Sequence, residues 1–156
     1  MVAVPAVTED ASAEFMTHAL RSGGVIEADT SVAEVEHDRI GECVGLMCNL
    51  ARLTLRYKGP AHGAPSSVVL KVPSNFPENR GVGDHFNFYE REGRFYEQIS
   101  ESLPVRTPHC YYNHIDVANN EFALMIEDFG GRTMVSQVAG IDFQRAAEAV
   151  RALALV

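Results

Sequence analysis

The sequence predicts an α+β domain with an antiparallel sheet. "LARLTLRY" (residues 50–57) sets Ala51, Leu53, Leu55 and Tyr57 against Arg52, Thr54 and Arg56, the alternation of a half-buried strand. Only a Gly/Pro/Ser-rich loop, "KGPAHGAPSS", separates it from the apolar run "VVLKV", so the two read as a hairpin. Capped segments at helical spacing lie around these strands. The expected order is helix, three strands, helix, two strands, helix.

The first helix is expected within "TEDASAEFMTHALRSGG", which opens on the capping residues Thr8 and Glu9 and closes on Gly23 and Gly24. Phe15, Ala19 and Leu20 fall at helical spacing inside it. "TSVAEVEHD" alternates irregularly and reads as a weak or edge strand. After the hairpin, "PSNFPENRGVGD" is rich in breakers and predicts a loop, with Asp84 capping a helix over residues 84–102 that ends before Pro104. "CYYNHIDVANNEFALMIEDFGG" predicts two strands between residues 108 and 128 around an Asn119-Asn120 turn. Asp142 then caps "FQRAAEAVRALALV", whose Phe143, Ala146, Ala147, Val150 and Leu153 form an apolar stripe. That stripe needs a surface to bury against, so self-association through this helix is expected.

Composition narrows the class. A chain of 156 residues, 46% hydrophobic and 22% charged, is long enough for one globular domain with a real core. A net charge of −8 argues against a surface built for nucleic acid or anionic membrane. No stretch approaches the roughly 18 consecutive apolar residues of a membrane span. "MVAVPAVTEDASAEF" has neither the basic nor the apolar region of a signal peptide, so the cytoplasm is the expected compartment. Cys43, Cys48 and Cys110 are odd in number and irregularly spaced, and free thiols are expected. "HCYYNH" brings His109, Cys110 and His114 close in sequence, but no paired CxxC or HExxH spacing accompanies them. No metal site is expected there.

The chemistry begins with a lysine inside an apolar strand. Val68, Leu70 and Val72 share one face of "SSVVLKVPSN", while Val69 and Lys71 point to the other. A solvated lysine on an edge face is one reading; a lysine held by a partner is the other. In the helix after it, Phe88, Phe95 and Ile99 follow the i, i+7, i+11 spacing of a buried stripe, and Glu92 lies on that stripe at i+4. Glu90, Glu97 and Glu101 lie with Arg94 on the other side. A carboxylate on an apolar face is costly unless paired, and the only lysines are Lys58, beside a turn, and Lys71. Lys71 and Glu92 are the natural pair. Glu92 snorkelling to water stays open beside that reading.

A strand lysine, a helical glutamate and a hydrophobic strand ending in an acidic turn resemble the amino-terminal lobe of a kinase. "VVLK" looks like the V-A-I-K strand whose lysine holds ATP phosphates and pairs with a helical glutamate. The pattern is more similar to the aminoglycoside phosphotransferase and choline kinase group, and within it to the ecdysteroid kinase-like branch. "YEREGRFYEQISESLPVRTPHCYY" resembles that group's R-E-x-x-F-Y helix and its Pro-containing approach to the next strand. "EFALMIEDFGG" is similar to its interlobe hinge.

The resemblance implies a kinase-like N-terminal lobe, with about five antiparallel strands and a packed helix, over roughly residues 25–131. Residues 1–24 would be a helical extension, and 132–156 the linker and first helix of a truncated C-lobe. Lys71 would contact nucleotide phosphates and Glu92 would fix its position. Ile126 would back the adenine pocket, with the Glu127 carbonyl and Phe129 amide on the adenine edge. "DRIGECVGLMCNL" would be the phosphate-covering loop, Gly41 and Gly45 allowing close backbone approach. Cys43 stands where many relatives carry another glycine, and Gly93 follows Glu92 inside the helix, at a cost of about 1 kcal/mol relative to alanine.

The implied ligand is ATP, with Mg²⁺ as its partner ion, and full-length relatives would transfer the γ-phosphoryl group to a small-molecule hydroxyl. The group's His-Gly-Asp loop and metal-binding aspartate belong to a second lobe and do not occur in this sequence; Asp116, Asp128 and Asp142 read as turn or cap residues. No catalytic residue and no metal ligand is therefore assigned, and the sequence alone is expected to be inactive. Two other readings stand beside this one: a non-catalytic module that binds nucleotide or a partner, and an unrelated α+β binding domain.

Overall fold

The computed structural model describes residues 2–40, 47–119, 121–130 and 138–156. These form an α+β fold with a five-stranded antiparallel sheet and four α-helices. The strands are β1 (Ser31–Ile40), β2 (Cys48–Lys58), β3 (Ser67–Pro73), β4 (Cys110–Asp116) and β5 (Glu121–Glu127). The helices are α1 (Ala13–Ser22), α2 (Pro77–His85), α3 (Phe88–Gln98) and α4 (Phe143–Leu153). Spatial order is β1-β2-β3-β5-β4, so β5 is inserted between β3 and β4.

Alternation in β2 and β3 gives the sheet two different faces. Ala51, Leu53 and Leu55 join Val68, Leu70 and Val72 on one face, with Ala123 and Met125 from β5. Phe15, Met16, Ala19 and Leu20 of α1 close over them, so the first helix is part of the main core. Its cap is Ser12, whose Oγ accepts a hydrogen bond from the Phe15 amide at 3.1 Å. Thr8–Asp10 forms a separate 3-10 turn, so the helix begins later than Thr8 and Glu9 suggest. At its other end Gly24, at φ 69°, takes the left-handed turn that lets Val25 N–H donate back to Leu20. β1 is an edge strand, as its weak alternation predicts.

α3 lies on the opposite face, against Phe122 and Leu124 of β5 and Ile115 of β4. Here two expectations need correction. The breaker-rich segment is not a loop: Pro77 occupies the first turn of α2, where a missing N–H costs nothing, and Asp84 lies inside that helix. Gly83 is there for packing, because a Cβ would stand 2.6 Å from the Tyr89 ring. The helix expected over 84–102 is instead broken at Asn87, which adopts φ 54°.

The second correction is to the buried stripe of α3. Tyr89 and Gly93 are buried and Tyr96 packs with them, whereas Phe88 and Ile99 are exposed. The inward face is thus rotated by one residue from the expected Phe88/Phe95/Ile99 line. Gly93 sits where a Cβ would lie 2.4 Å from Ile115 Cδ1, so this glycine lets the helix approach β4.

α4 is capped as expected, the Asp142 carboxylate accepting from the Arg145 amide at 2.9 Å. None of its residues is buried, and Phe143, Val150 and Leu153 are exposed. Among the described residues no helix is long and apolar enough to cross a membrane.

Candidate functional site

Lys71 occupies the middle of the sheet. Its strand neighbours are Leu50 on β2 and Leu124 on β5, and its side chain leaves the face covered by α3. The aliphatic stem is largely sequestered, with the side chain 17% exposed, and the ammonium donates a hydrogen bond to Glu92 Oε1. Glu92, 31% exposed, reaches it from the inward side of α3, between Tyr89 and Tyr96. Glu90 points elsewhere and pairs with Arg94 at 2.7 Å.

What holds α3 in this position is visible around the pair. Tyr89 Oη donates to the Met47 carbonyl at 2.7 Å, tying the helix to the start of β2. Asn113 Nδ2 donates to the Gly93 carbonyl at 3.0 Å, tying it to β4. Cys48 completes the surroundings: burial pushes its thiol up to about 11, while the Lys71 charge acts to lower it and Glu92 to raise it. Burial likewise pushes the Tyr96 hydroxyl up to about 12, with the Glu92 carboxylate adding to the effect. The result is a fixed ammonium with neutral neighbours and one counter-charge.

The end of β5 forms the second half of the candidate site. Ile126 lies opposite Val69 and packs into the α3-side cluster. Glu127 lies opposite Val68, and there the β3–β5 pairing stops. Its carboxylate accepts from Arg106 at 2.5 Å and from the His109 amide at 3.2 Å. The Arg106 guanidinium also stands 4.9 Å from the centre of the Phe129 ring.

Between them, Asp128 is a turn residue whose carboxylate accepts from the Gly130 amide two residues on, and it is held from the sheet as well. Its carboxylate, 6% exposed, accepts from Arg52 Nε at 2.7 Å and Nη2 at 3.3 Å, and from Ser67 Oγ at 2.9 Å. Burial pushes its pKa up, but the hydrogen bonds from Arg52 and Ser67 outweigh that and hold it below the usual carboxylate range. Asp116 is a turn residue, accepting from the Asn119 amide at 3.1 Å.

The structure therefore brings Lys71 and Glu92 together and sets Ile126 and Glu127 on the strand beside Lys71, with Phe129 just beyond. Gly41 and Gly45 lie outside the described residues. Arg52, Ser67, Asp128 and Arg106 were missed as a group, and no spacing signals them, since Arg52 and Asp128 are 76 residues apart. Strand order alone makes them neighbours. Two cavities lie away from Lys71: one of about 300 Å³ between the α2–α3 joint and the β4–β5 hairpin, another of about 390 Å³ beside Tyr96, Arg106 and Glu127.

Among the described residues no three His, Cys, Asp or Glu side chains come together in a way that would hold a metal ion. Cys48 and Cys110 are free thiols. Comparison with protein-family models, with curated proteins and with solved structures finds no match to this chain.

Proposed function

We propose that this chain is the nucleotide-binding lobe of an ATP-dependent small-molecule phosphotransferase, of the aminoglycoside phosphotransferase and choline kinase-like kind. The observation that carries the reading is the Lys71–Glu92 pair, set between a central strand and the helix packed on it. A strand ammonium oriented by one carboxylate is suited to phosphate oxygens, because the pairing fixes its position without neutralising it by a second acid. Ile126 and Val69 would offer an apolar surface to the base, and the backbone of Glu127 and Phe129 its polar edge.

Mg²⁺ enters through the resemblance only. Among the described residues no three His, Cys, Asp or Glu side chains gather to hold it. Nor does the reading assign a general base or an acceptor site to this chain. The sequence by itself is expected to bind nucleotide weakly, by one side of the ligand, and not to turn it over.

A thermal-shift titration with Mg²⁺-ATP tests this. Stabilisation that grows with ATP and is lost in Lys71→Ala supports it, following the mass-action gain from ligand bound to the native state alone. No shift up to about 10 mM ATP would sink it, since that leaves at most about 3 kcal/mol of binding free energy. The exposed stripe of Phe143, Val150 and Leu153 on α4 favours a second reading, a module that docks a partner and has no catalytic role.

A further inference from the structure

We infer that Asn113 is a positioning residue: it holds α3 at the rotation that aims Glu92 at Lys71, against the pull of that helix's own apolar side chains. Its bearing on phosphate rests on the nucleotide reading above; the positioning itself does not. Across the sheet, Asn113 on β4 lies opposite Leu124 on β5, and Leu124 lies opposite Lys71 on β3. On the face that α3 covers, the two polar residues therefore flank Leu124, one strand to either side and roughly 10 Å apart. They hold consecutive residues of the helix. Lys71 donates to the Glu92 carboxylate, and Asn113 Nδ2 donates to the Gly93 carbonyl at 3.0 Å. Contacts on both sides of a helix axis fix its rotation, which one contact alone leaves open.

The rotation they fix is not the one that hydrophobicity prefers. Tyr89, Gly93 and Tyr96 face the sheet, while Phe88 and Ile99 stay exposed. One residue is about 100° of helical turn. Turning α3 by that much would bury Phe88 and Ile99, and it would swing Glu92 from the β3 side of the helix to the β4 side, away from Lys71. Asn87, at φ 54°, breaks α3 from α2, so no continuous helix sets the angle instead. The Tyr89 bond to the Met47 carbonyl lies one turn earlier, whereas Asn113 acts beside Glu92 itself.

Stability does not account for an asparagine here. The Gly93 carbonyl lies inside the helix, where the ladder already supplies it a donor, so the Asn113 bond rescues no orphan. Asn113 Oδ1 is itself buried and has no hydrogen-bond partner among the described residues. It lies against the bare Cα of Gly93, where a Cβ would stand 2.9 Å away. A half-satisfied amide on a helix-covered strand face is a worse choice for packing than a β-branched apolar side chain. What the amide supplies is direction.

Asn113→Val, Gly93→Ala and Glu92→Gln in the full chain test this by melting, by Cys48 alkylation with iodoacetamide at about pH 8, and by titration with inorganic tripolyphosphate and Mg²⁺-ATP. Cys48 reports on the pair because the Glu92 charge raises its thiol pKa and the Lys71 charge lowers it. We expect Asn113→Val to melt at or above wild type yet to label Cys48 about threefold faster or more, with Glu92→Gln setting the scale. Both phosphate ligands should weaken by about fivefold or more. Gly93→Ala pushes the helix off β4 by another route, and it should shift the same readouts while melting lower. An Asn113→Val protein that melts below wild type, or does not fold, overturns the inference, since stability would then explain the residue. Cys48 labelling unchanged in Asn113→Val overturns it as well. Faster labelling with phosphate affinity kept leaves the positioning and removes its bearing on the site. If wild type binds neither ligand, the nucleotide reading falls, and Cys48 labelling alone decides whether Asn113 positions Glu92.

Discussion

The Lys71 ammonium and the Glu92 carboxylate meet between β3 and α3, with Cys48 within their electrostatic reach. Removing the cation strands a carboxylate that is about two-thirds sequestered. Lys71→Ala should cost about 1–2 kcal/mol in urea unfolding, less than a fully buried pair because Glu92 retains some water. Glu90→Ala removes an i,i+4 pair whose Arg94 partner is exposed and can turn to water, so it strands no sequestered charge and should cost under about 0.5 kcal/mol. An equal or larger loss from Glu90→Ala would mean that the wrong carboxylate has been credited.

Two helical glycines should respond to alanine in opposite directions. At Gly81 nothing lies within 4 Å of the added Cβ, and the gain in helix propensity should stabilise by about 0.5–1 kcal/mol. At Gly93 the Cβ meets Ile115 Cδ1 at 2.4 Å and Cγ1 at 2.7 Å, and overpacking should outweigh that gain by about 1 kcal/mol or more. Melting temperatures of the two variants that move the same way would refute the close α3–β4 approach.

Asp128 makes part of the stability pH-dependent. Its folded pKa is lowered, so its contribution is complete above the unfolded carboxylate value of about 4 and is lost as pH falls through the folded value. Asp128→Asn should therefore be about 1–3 kcal/mol less stable than wild type at neutral pH, with the gap closing in acid. Denaturant curves at pH 7 and about pH 3 check this; a gap that widens in acid contradicts it.

The thiols of Cys48 and Cys110 are both pushed up to about 11 by burial. At about pH 8 each should be alkylated far more slowly in the native protein than in urea, because the thiolate is the reacting form. Lys71→Ala removes the one charge that lowers the Cys48 value and should slow its reaction further. Mass mapping of iodoacetamide adducts measures both effects, and faster labelling of Cys48 in the variant would contradict the proximity.

α4 presents Phe143, Val150 and Leu153 to solvent, the first of them 88% exposed. Replacing the three with serine should shift sedimentation toward monomer if this stripe drives self-association. An unchanged distribution of species would assign any oligomer to another surface.

β2 was legible because alternation over "LARLTLRY" is a period that only a sheet satisfies, and β3 because "VVLKV" is a short apolar, β-branched run bounded by breakers, as a buried strand is. Glu92 meets Lys71 although the inward face of α3 is displaced by one residue from the Phe88/Phe95/Ile99 line. Phe88 and Ile99 outweigh Tyr89 and Gly93 in hydrophobicity, yet Gly93 is buried for what it lacks rather than for what it contributes. A periodicity count cannot register that. α2 was hidden for a related reason, since Pro77, Gly81 and Gly83 read as breakers when each has a place compatible with a helix. The Arg52–Asp128 contact joins residues 76 apart through strand order, which pattern in one strand does not encode.

The insertion of β5 between β3 and β4 has a consequence for how the chain is made. During synthesis β1, β2 and β3 emerge first and can pair in sequence, but the second edge of β3 has no partner until residues 121–127 follow. For that interval "SVVLKVP", the strand with the most buried residues, offers unpaired backbone and an apolar face to any neighbouring chain. Closure must also bridge a long loop that carries two helices and another strand, which slows it relative to the hairpin. A nascent protein stalled before residue 121 is thus a sticky half-sheet, and the growing chain depends on speed or on a chaperone to pass that point.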